Sequence, residues 1–209
     1  MPYVILSVIA AYLIGSIPTA YIFGRMLKGV DIREYGSGNV GATNVARVIG
    51  KGPGIVVFII DFLKGFSAVA LIPLAFNRIA PDAIEAASNY IFILAGAAAI
   101  AGHIWTVFLK FKGGKGVSTT LGVMAALSPA IFLGCILVWV VVFSVWRYVS
   151  LASISVAVSL PILAVFMNES LSFIMFCAAL CLVSVYAHRS NIKRLIQGTE
   201  SRIVKGGKS

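Results

Sequence analysis

The sequence predicts an all-α integral membrane protein of seven transmembrane helices, one of them short, with the N-terminus outside and the C-terminus in the cytoplasm. Three observations carry this. Hydrophobic residues make up 60% of the 209 residues and charged ones 11%, with a mean hydropathy of +1.00, far more apolar than a soluble domain. The apolar residues fall in runs of bilayer-spanning length, and the basic residues collect in the gaps between alternate runs.

A helix needs about 20 apolar residues to cross the hydrocarbon, with a range of roughly 17–25. Tyr3–Met26 is the first such run. No basic residue precedes it and no small-residue cleavage site follows, so it reads as a retained span rather than a signal peptide. Gly54–Phe76 and Ala87–Phe108 are the second and third, and Pro129–Trp146, Ser150–Phe166 and Ser170–Ala187 are the last three. Between them Val117–Leu127 is too short. At about 1.5 Å per residue it covers roughly half the hydrocarbon, so it is a half-helix or part of a bent helix continuing into the next run.

Charge decides the count, because lysine and arginine favour the cytoplasmic side. With seven spans, all of the 17 basic residues face the cytoplasm except Lys64, inside a span, and Arg78, outside. Fusing Val117–Trp146 into one helix would divide them evenly between the two faces. The expected organisation is one transmembrane domain over residues 1–196 and a cytoplasmic tail over 197–209, with "RIVKGGKS" poorly constrained. The formal charge of +10 is then directed at anionic lipid or substrate and not at nucleic acid. Cys135, Cys177 and Cys181 lie in apolar runs without a CxxC or histidine partner and read as small hydrophobes; neither metal, cofactor nor disulfide is expected.

In this topology three polar segments, residues 31–51, 109–116 and 188–202, share the cytoplasmic face and can converge. The first contains "REYGSGNVGATNVARVIG". Gly36, Gly38 and Gly41 allow the backbone to approach a ligand, Ser37, Asn39, Thr43 and Asn44 offer neutral hydrogen bonds, and Arg47 brings a fixed cation suited to phosphate. An ordinary hydrophilic connector is the plainer alternative. The second, "FLKFKGGKGVSTTLG", alternates Lys110, Lys112 and Lys115 with Gly113, Gly114 and Gly116, and a helix starts at once, with Ser118 in its first turn. Free N–H groups and the positive dipole end make it an anion trap. It lacks Walker A spacing, and a topology-setting loop would explain the lysines but not the glycines.

The third segment, "YAHRSNIKRLIQGTE", places His188, Asn191 and Leu195 on one face of a helix; an interfacial histidine on a basic helix end is the bland reading. His103 reads as a packing residue. Asp61 and Lys64 read as an internal ion pair, with support of the cytoplasmic site as the alternative. No Ser-His-Asp set can be assembled, so cations and backbone donors point to positioning of anionic substrates and stabilisation of an oxyanion. An organic-phosphate or lipid transporter is the rival, but no internal repeat is visible and all binding groups collect on one face.

Together "GSGNVGATNVAR", "GHIWTVFLKFKGGKGVSTTLG" and "AHRSNIKRLIQGTE", with "DFLKG" and "RYVSLASI", resemble the PlsY-type glycerol-3-phosphate acyltransferases over nearly the whole chain. The resemblance implies acyl transfer from acyl phosphate to the sn-1 hydroxyl of glycerol 3-phosphate in a bacterial cytoplasmic membrane, giving lysophosphatidic acid. It implies no use of acyl-CoA or acyl carrier protein; a monomer among membrane lipids is expected. It implies Ser37, Arg47, Lys115, His188 and Asn191 in the active site. Gly38, Asn39, Gly41, Thr43, Asn44, Lys112, Gly113, Gly114, Gly116 and Ser118 become the substrate-binding candidates, and the glycine-rich second motif holds the headgroup. The HxxxxD motif of other glycerolipid acyltransferases is missing, since Phe108 follows His103 and Lys193 follows His188 at that spacing.

Overall fold

Among the described residues of the computed structural model, 2–85 and 87–203, every regular element is helical. The chain forms two compact units that meet in sequence at Ser128 and Pro129. The first holds α1 (Pro2–Ser16), α2 (Thr19–Lys28), α3 (Ala42–Val48), α4 (Lys51–Ala70), α5 (Ile72–Asn77), α6 (Pro81–Glu85), α7 (Ser88–Ile104) and α8 (Val117–Leu127). The second holds α9 (Pro129–Trp146), α10 (Val149–Phe166), α11 (Leu171–Ala187) and α12 (Arg189–Ile196).

Helices in lipid gain little from burying apolar side chains against one another, so they associate through small residues that let backbones touch. The first unit is built this way. A Cβ on Gly15 of α1 would strike the backbone of Ala99 on α7, and one on Gly102 of α7 would strike the Tyr12 carbonyl. Between α4 and α8 the same holds for Gly65 against Thr119 and Gly122 against Phe62. Ala11, Ala68, Ala95 and Ala99 fill the centre of this packing, while Ile5, Leu6, Ile55 and Ile59 point outward.

The expected first span is not one continuous helix. Pro18 has no N–H to donate and forbids the helical path of Ile17, so the chain breaks between α1 and α2. Carbonyls freed inside a membrane need partners. Thr106 Oγ1 donates to Ser16 O, and Lys64 Nζ donates to Ile17 O at 3.0 Å. The second span likewise turns at Leu71 between α4 and α5. A break does fall at Ser128, so Val117–Trp146 is two helices, the arrangement the charge count requires.

By length and composition five stretches suffice to cross a membrane: Pro2–Lys28, Lys51–Asn77, Tyr90–Leu109, Pro129–Trp146 and Val149–Phe166. Among the described residues the count reaches six if the pair Leu171–Ala187 and Arg189–Ile196, bent by 60°, is one span. The eleven residues of α8 fall short, as the sequence predicts. The end of the chain departs from the expectation of a loose tail: Arg202 Nε donates to Trp146 O at 3.1 Å and Ile203 N to Arg147 O at 3.0 Å. Residues 204–209, the rest of "RIVKGGKS", lie outside the described residues.

Candidate active site

In the first unit the polar segment after α2 is wound around two buried side chains. Asp31 accepts from the Arg33 amide at 3.0 Å and from the Arg33 guanidinium at 2.9 and 2.7 Å. The guanidinium hydrogen bond holds the Asp31 carboxyl down at about 2 against burial, which pushes it up from 3.8. The folded value is the lower one, so this contribution to stability is complete above pH 3.8 and disappears as the pH falls through about 2. Thermal unfolding in detergent between those values is expected to show a falling limb that Asp31→Asn flattens.

Asn44 is the second buried side chain. Its Oδ1 accepts from the Ser37 amide at 2.8 Å, and its Nδ2 donates to the carbonyls of Ile32 and Tyr35, both at 3.0 Å. Sequence reasoning grouped Asn44 with substrate contacts; the structure spends its amide on shaping the loop. Gly36 and Gly38 occupy left-handed conformations, φ 61° and 69°, and a Cβ on Gly36 would strike Asn44 Oδ1. The turn leaves Ser37 and Gly38 exposed, with Asn39, Gly41 and Thr43 half-buried. Arg47 is exposed in the last turn of α3.

The second segment reaches the same place in this unit. Thr106 caps a short 3-10 turn, and Lys110 and Phe111 are both held at positive φ, 54° and 61°. Left-handed non-glycine residues store strain that recurs beside functional loops. The glycines then do something other than expected. Gly113 N donates to Ile104 O and Gly114 N to His103 O, both at 3.0 Å, so these two amides are occupied within the protein. What requires glycine is contact: a Cβ on Gly113 would strike His103 O, and one on Gly114 would strike His103 Nε2 and lie 2.5 Å from Val40 O. Val40 belongs to the first segment, so the two segments are packed together at Gly114.

Anion-binding capacity shifts to the start of α8. Gly116 turns the chain at φ 78°, and the first i→i+4 bond of the helix is Thr120 N to Gly116 O at 2.7 Å. The amides of Val117, Ser118 and Thr119 precede that bond at the positive end of the helix dipole. Lys115 and Ser118 are half-buried beside them, and Lys112 is exposed. Gly114→Ala, forced against His103 and Val40, is expected to raise KM for a phosphate-bearing substrate held at the start of α8 more than for a second substrate. Equal changes in both constants in steady-state assays would make the loop merely structural.

In the second unit α11 ends at His188, which is buried at 2% exposure. Its Nδ1 lies 2.8 Å from Ser184 O, and a carbonyl only accepts, so Nδ1 carries a proton and, when the ring is neutral, Nε2 is its acceptor. One turn later Asn191 is buried as well. Its Nδ2 donates to Glu200 Oε1 at 2.8 Å, Ser150 Oγ donates to the same oxygen at 2.8 Å, and Arg194 Nε donates to Oε2 at 2.7 Å. Burial pushes the Glu200 carboxyl up, and the hydrogen bonds from Asn191, Arg194 and Ser150 more than offset it, leaving it below the usual value. Sequence reasoning put His188 and Asn191 together but assigned no role to Ser150 or Glu200. The available signal was that "RYVSLASI" and "LIQGTE" both lie in the resembling stretches.

A family model described as glycerol-3-phosphate acyltransferase matches residues 5–198. This chain belongs to the glycerol-3-phosphate acyltransferase family. A relative of that name from Synechococcus sp. (strain CC9902) is 44% identical over 198 residues, covering 95% of this chain and 94% of its own. Another from Desulforamulus reducens is 45% identical over 200 residues, with 95% and 94% covered. The crystal structure of PlsY (YgiH), an integral membrane glycerol 3-phosphate acyltransferase, in its glycerol 3-phosphate form is 40% identical with a TM-score of 0.85, covering 96% of each chain. Its lysophosphatidic acid form gives 0.82 at 40% identity, with 96% and 95% covered. The acyltransferase fold is therefore an integral membrane one, as the apolar helices require.

Proposed function

We propose that the protein transfers a fatty acyl group from acyl phosphate to the sn-1 hydroxyl of glycerol 3-phosphate at the cytoplasmic face of a bacterial membrane. The glycerol-3-phosphate acyltransferase activity is that of its family and serves membrane phospholipid synthesis. One observation carries the reading: PlsY, similar over nearly the whole chain, has been crystallised in glycerol 3-phosphate and lysophosphatidic acid forms, two molecules that differ by one acyl ester.

The hydroxyl oxygen attacks the acyl carbonyl carbon, the bond from that carbon to the phosphate oxygen breaks, and inorganic phosphate leaves with the electron pair. The hydroxyl proton passes to a substrate phosphate. A mixed anhydride is already activated, so the protein's contribution is alignment and charge stabilisation. Ser37 and Arg47 are assigned to the acyl phosphate, Lys115 and the α8 amides to the glycerol phosphate, and His188 with Asn191 to orienting the reacting groups. No metal, acyl-CoA or acyl carrier protein is required, and one chain is sufficient.

Purified protein in detergent micelles, given acyl phosphate and glycerol 3-phosphate, is expected to release lysophosphatidic acid and phosphate. Flux of substrate across proteoliposomes without turnover would make it a carrier. Orientation is tested separately, by cysteines placed at positions 115 and 188 after removal of the native ones. Labelling from outside intact cells by an impermeant reagent would overturn the cytoplasmic assignment.

A further inference from the structure

Asp61 and Lys64 on α4 and His103 on α7 form a polar cluster inside the first unit. Lys64 Nζ is 2.9 Å from Asp61 Oδ1, His103 Nδ1 is 3.9 Å from the same oxygen, and the three residues are only 6, 2 and 8% exposed for Lys64, Asp61 and His103. Stability alone does not account for them. Ionisable groups at membrane depth are costly, and replacing a buried ion pair by apolar residues of similar volume is often neutral or stabilising. Their surroundings supply another reason. Lys64 holds the Ile17 carbonyl at the α1–α2 break, and His103 Nδ1 lies 3.1 Å from Thr119 Oγ1 in the first turn of α8. The opposite edge of the His103 ring is so close to Gly114 that no Cβ fits between them, and the backbone carbonyl of His103 accepts from the Gly114 amide. Asp61, Lys64 and His103 line a small cavity together with Val40, Gly113 and Gly114.

We propose that Asp61, Lys64 and His103 are positioning residues for the glycerol 3-phosphate site, fixing through one imidazole the place of Gly114 and of the first turn of α8. The inference rests on the function proposed above. Lys64 and Asp61 set the imidazole, the imidazole touches the loop with one edge and the helix turn with the other, and the amides and Lys115 that would meet the phosphate follow directly. An apolar side chain of the same volume would fill the space without fixing either contact.

The test uses full-length protein in micelles, with steady-state KM for each substrate, thermal stability, and the stabilisation that added glycerol 3-phosphate gives to the unfolding transition. The double variant Asp61→Asn/Lys64→Met removes the pair without stranding a charge. It leaves the Ile17 carbonyl without its donor, so a modest fall in unfolding temperature is expected, but the variant extracts folded while KM for glycerol 3-phosphate rises about tenfold or more, the scale on which small misplacements act, with the donor KM unchanged. His103→Asn, whose amide reaches only the Thr119 side, is expected to behave likewise, and His103→Gln, which reaches toward Gly114, to restore most of the affinity. A lowered unfolding temperature with wild-type KM and wild-type ligand stabilisation in these variants overturns the inference and leaves the function standing. Wild-type protein that makes no product from the two substrates overturns the function instead. If the double variant does not extract as a folded species, the contrast between His103→Asn and His103→Gln decides alone.

Discussion

His188→Ala is expected to lower kcat by about a hundredfold or more while the protein still extracts as a folded species. The expectation comes from what the structure does with the ring. An interfacial histidine that merely ended a helix would be exposed, whereas this one is buried at the 60° bend between α11 and α12, with its tautomer set by the Ser184 carbonyl. Holding Nδ1–H in that bond commits the neutral ring to offering Nε2 as an acceptor, the state in which it can orient or receive a hydroxyl proton. The pH profile separates orientation from proton transfer. A titrating imidazole gives wild type a rate limb that vanishes in the variant. A limb that persists with reduced amplitude points to the substrate phosphate, whose second ionisation lies at about 6 by analogy with phosphorylated side chains. The second outcome is expected, because the hydroxyl proton is assigned to a substrate phosphate and the ring to orientation. A variant with wild-type kcat and a lowered unfolding temperature would reduce His188 to a structural residue.

What the sequence made legible followed the strength of each local rule. Apolar run length marked stretches that the structure makes helical, because a bilayer leaves the backbone no other way to satisfy itself. Charge bias placed a break at Ser128 that hydropathy alone would have passed over. The break at Pro18 was missed for a physical reason: an apolar average is blind to a single lost hydrogen bond, although Ser16, Pro18 and Thr19 in the middle of a greasy run were the signal. Residue types also proved more legible than residue roles. The glycine triplet read as backbone donors for an anion, while two of the three glycines are there so that the loop can lie against His103 and Val40. Asn44 read as a ligand contact, and its amide is hydrogen-bonded within the loop that it braces. In both cases composition announces that a loop is shaped, and only the fold says whether a given group shapes it or serves it.

Glu200 shows the limit most sharply, and truncating it is expected to produce the largest stability loss in the second unit. Its carboxylate stands between Ser150 at the start of α10, Asn191 on α12 and Arg194, fifty, nine and six residues away in sequence. No local pattern reveals such a meeting. Glu200→Ala removes the acceptor from all three donors at once, and two of them, Ser150 and Asn191, are buried. Stranding buried donors beside an unpaired arginine is expected to cost about 3 kcal/mol, seen as an earlier unfolding transition in detergent. Activity should fall with it, since Asn191 is aimed by this bond and is assigned to the reaction. Glu200→Gln distinguishes the two consequences. A glutamine oxygen can still accept from Ser150 and Asn191, but its NH2 group would oppose the Arg194 donor, so the arginine link is lost and the Asn191 link survives. This variant is therefore expected to be destabilised by less than Glu200→Ala and to keep most of its kcat at temperatures where it remains folded. If Glu200→Gln instead lost activity as fully as Glu200→Ala, the charge itself and not the orientation of Asn191 would be what the reaction needs.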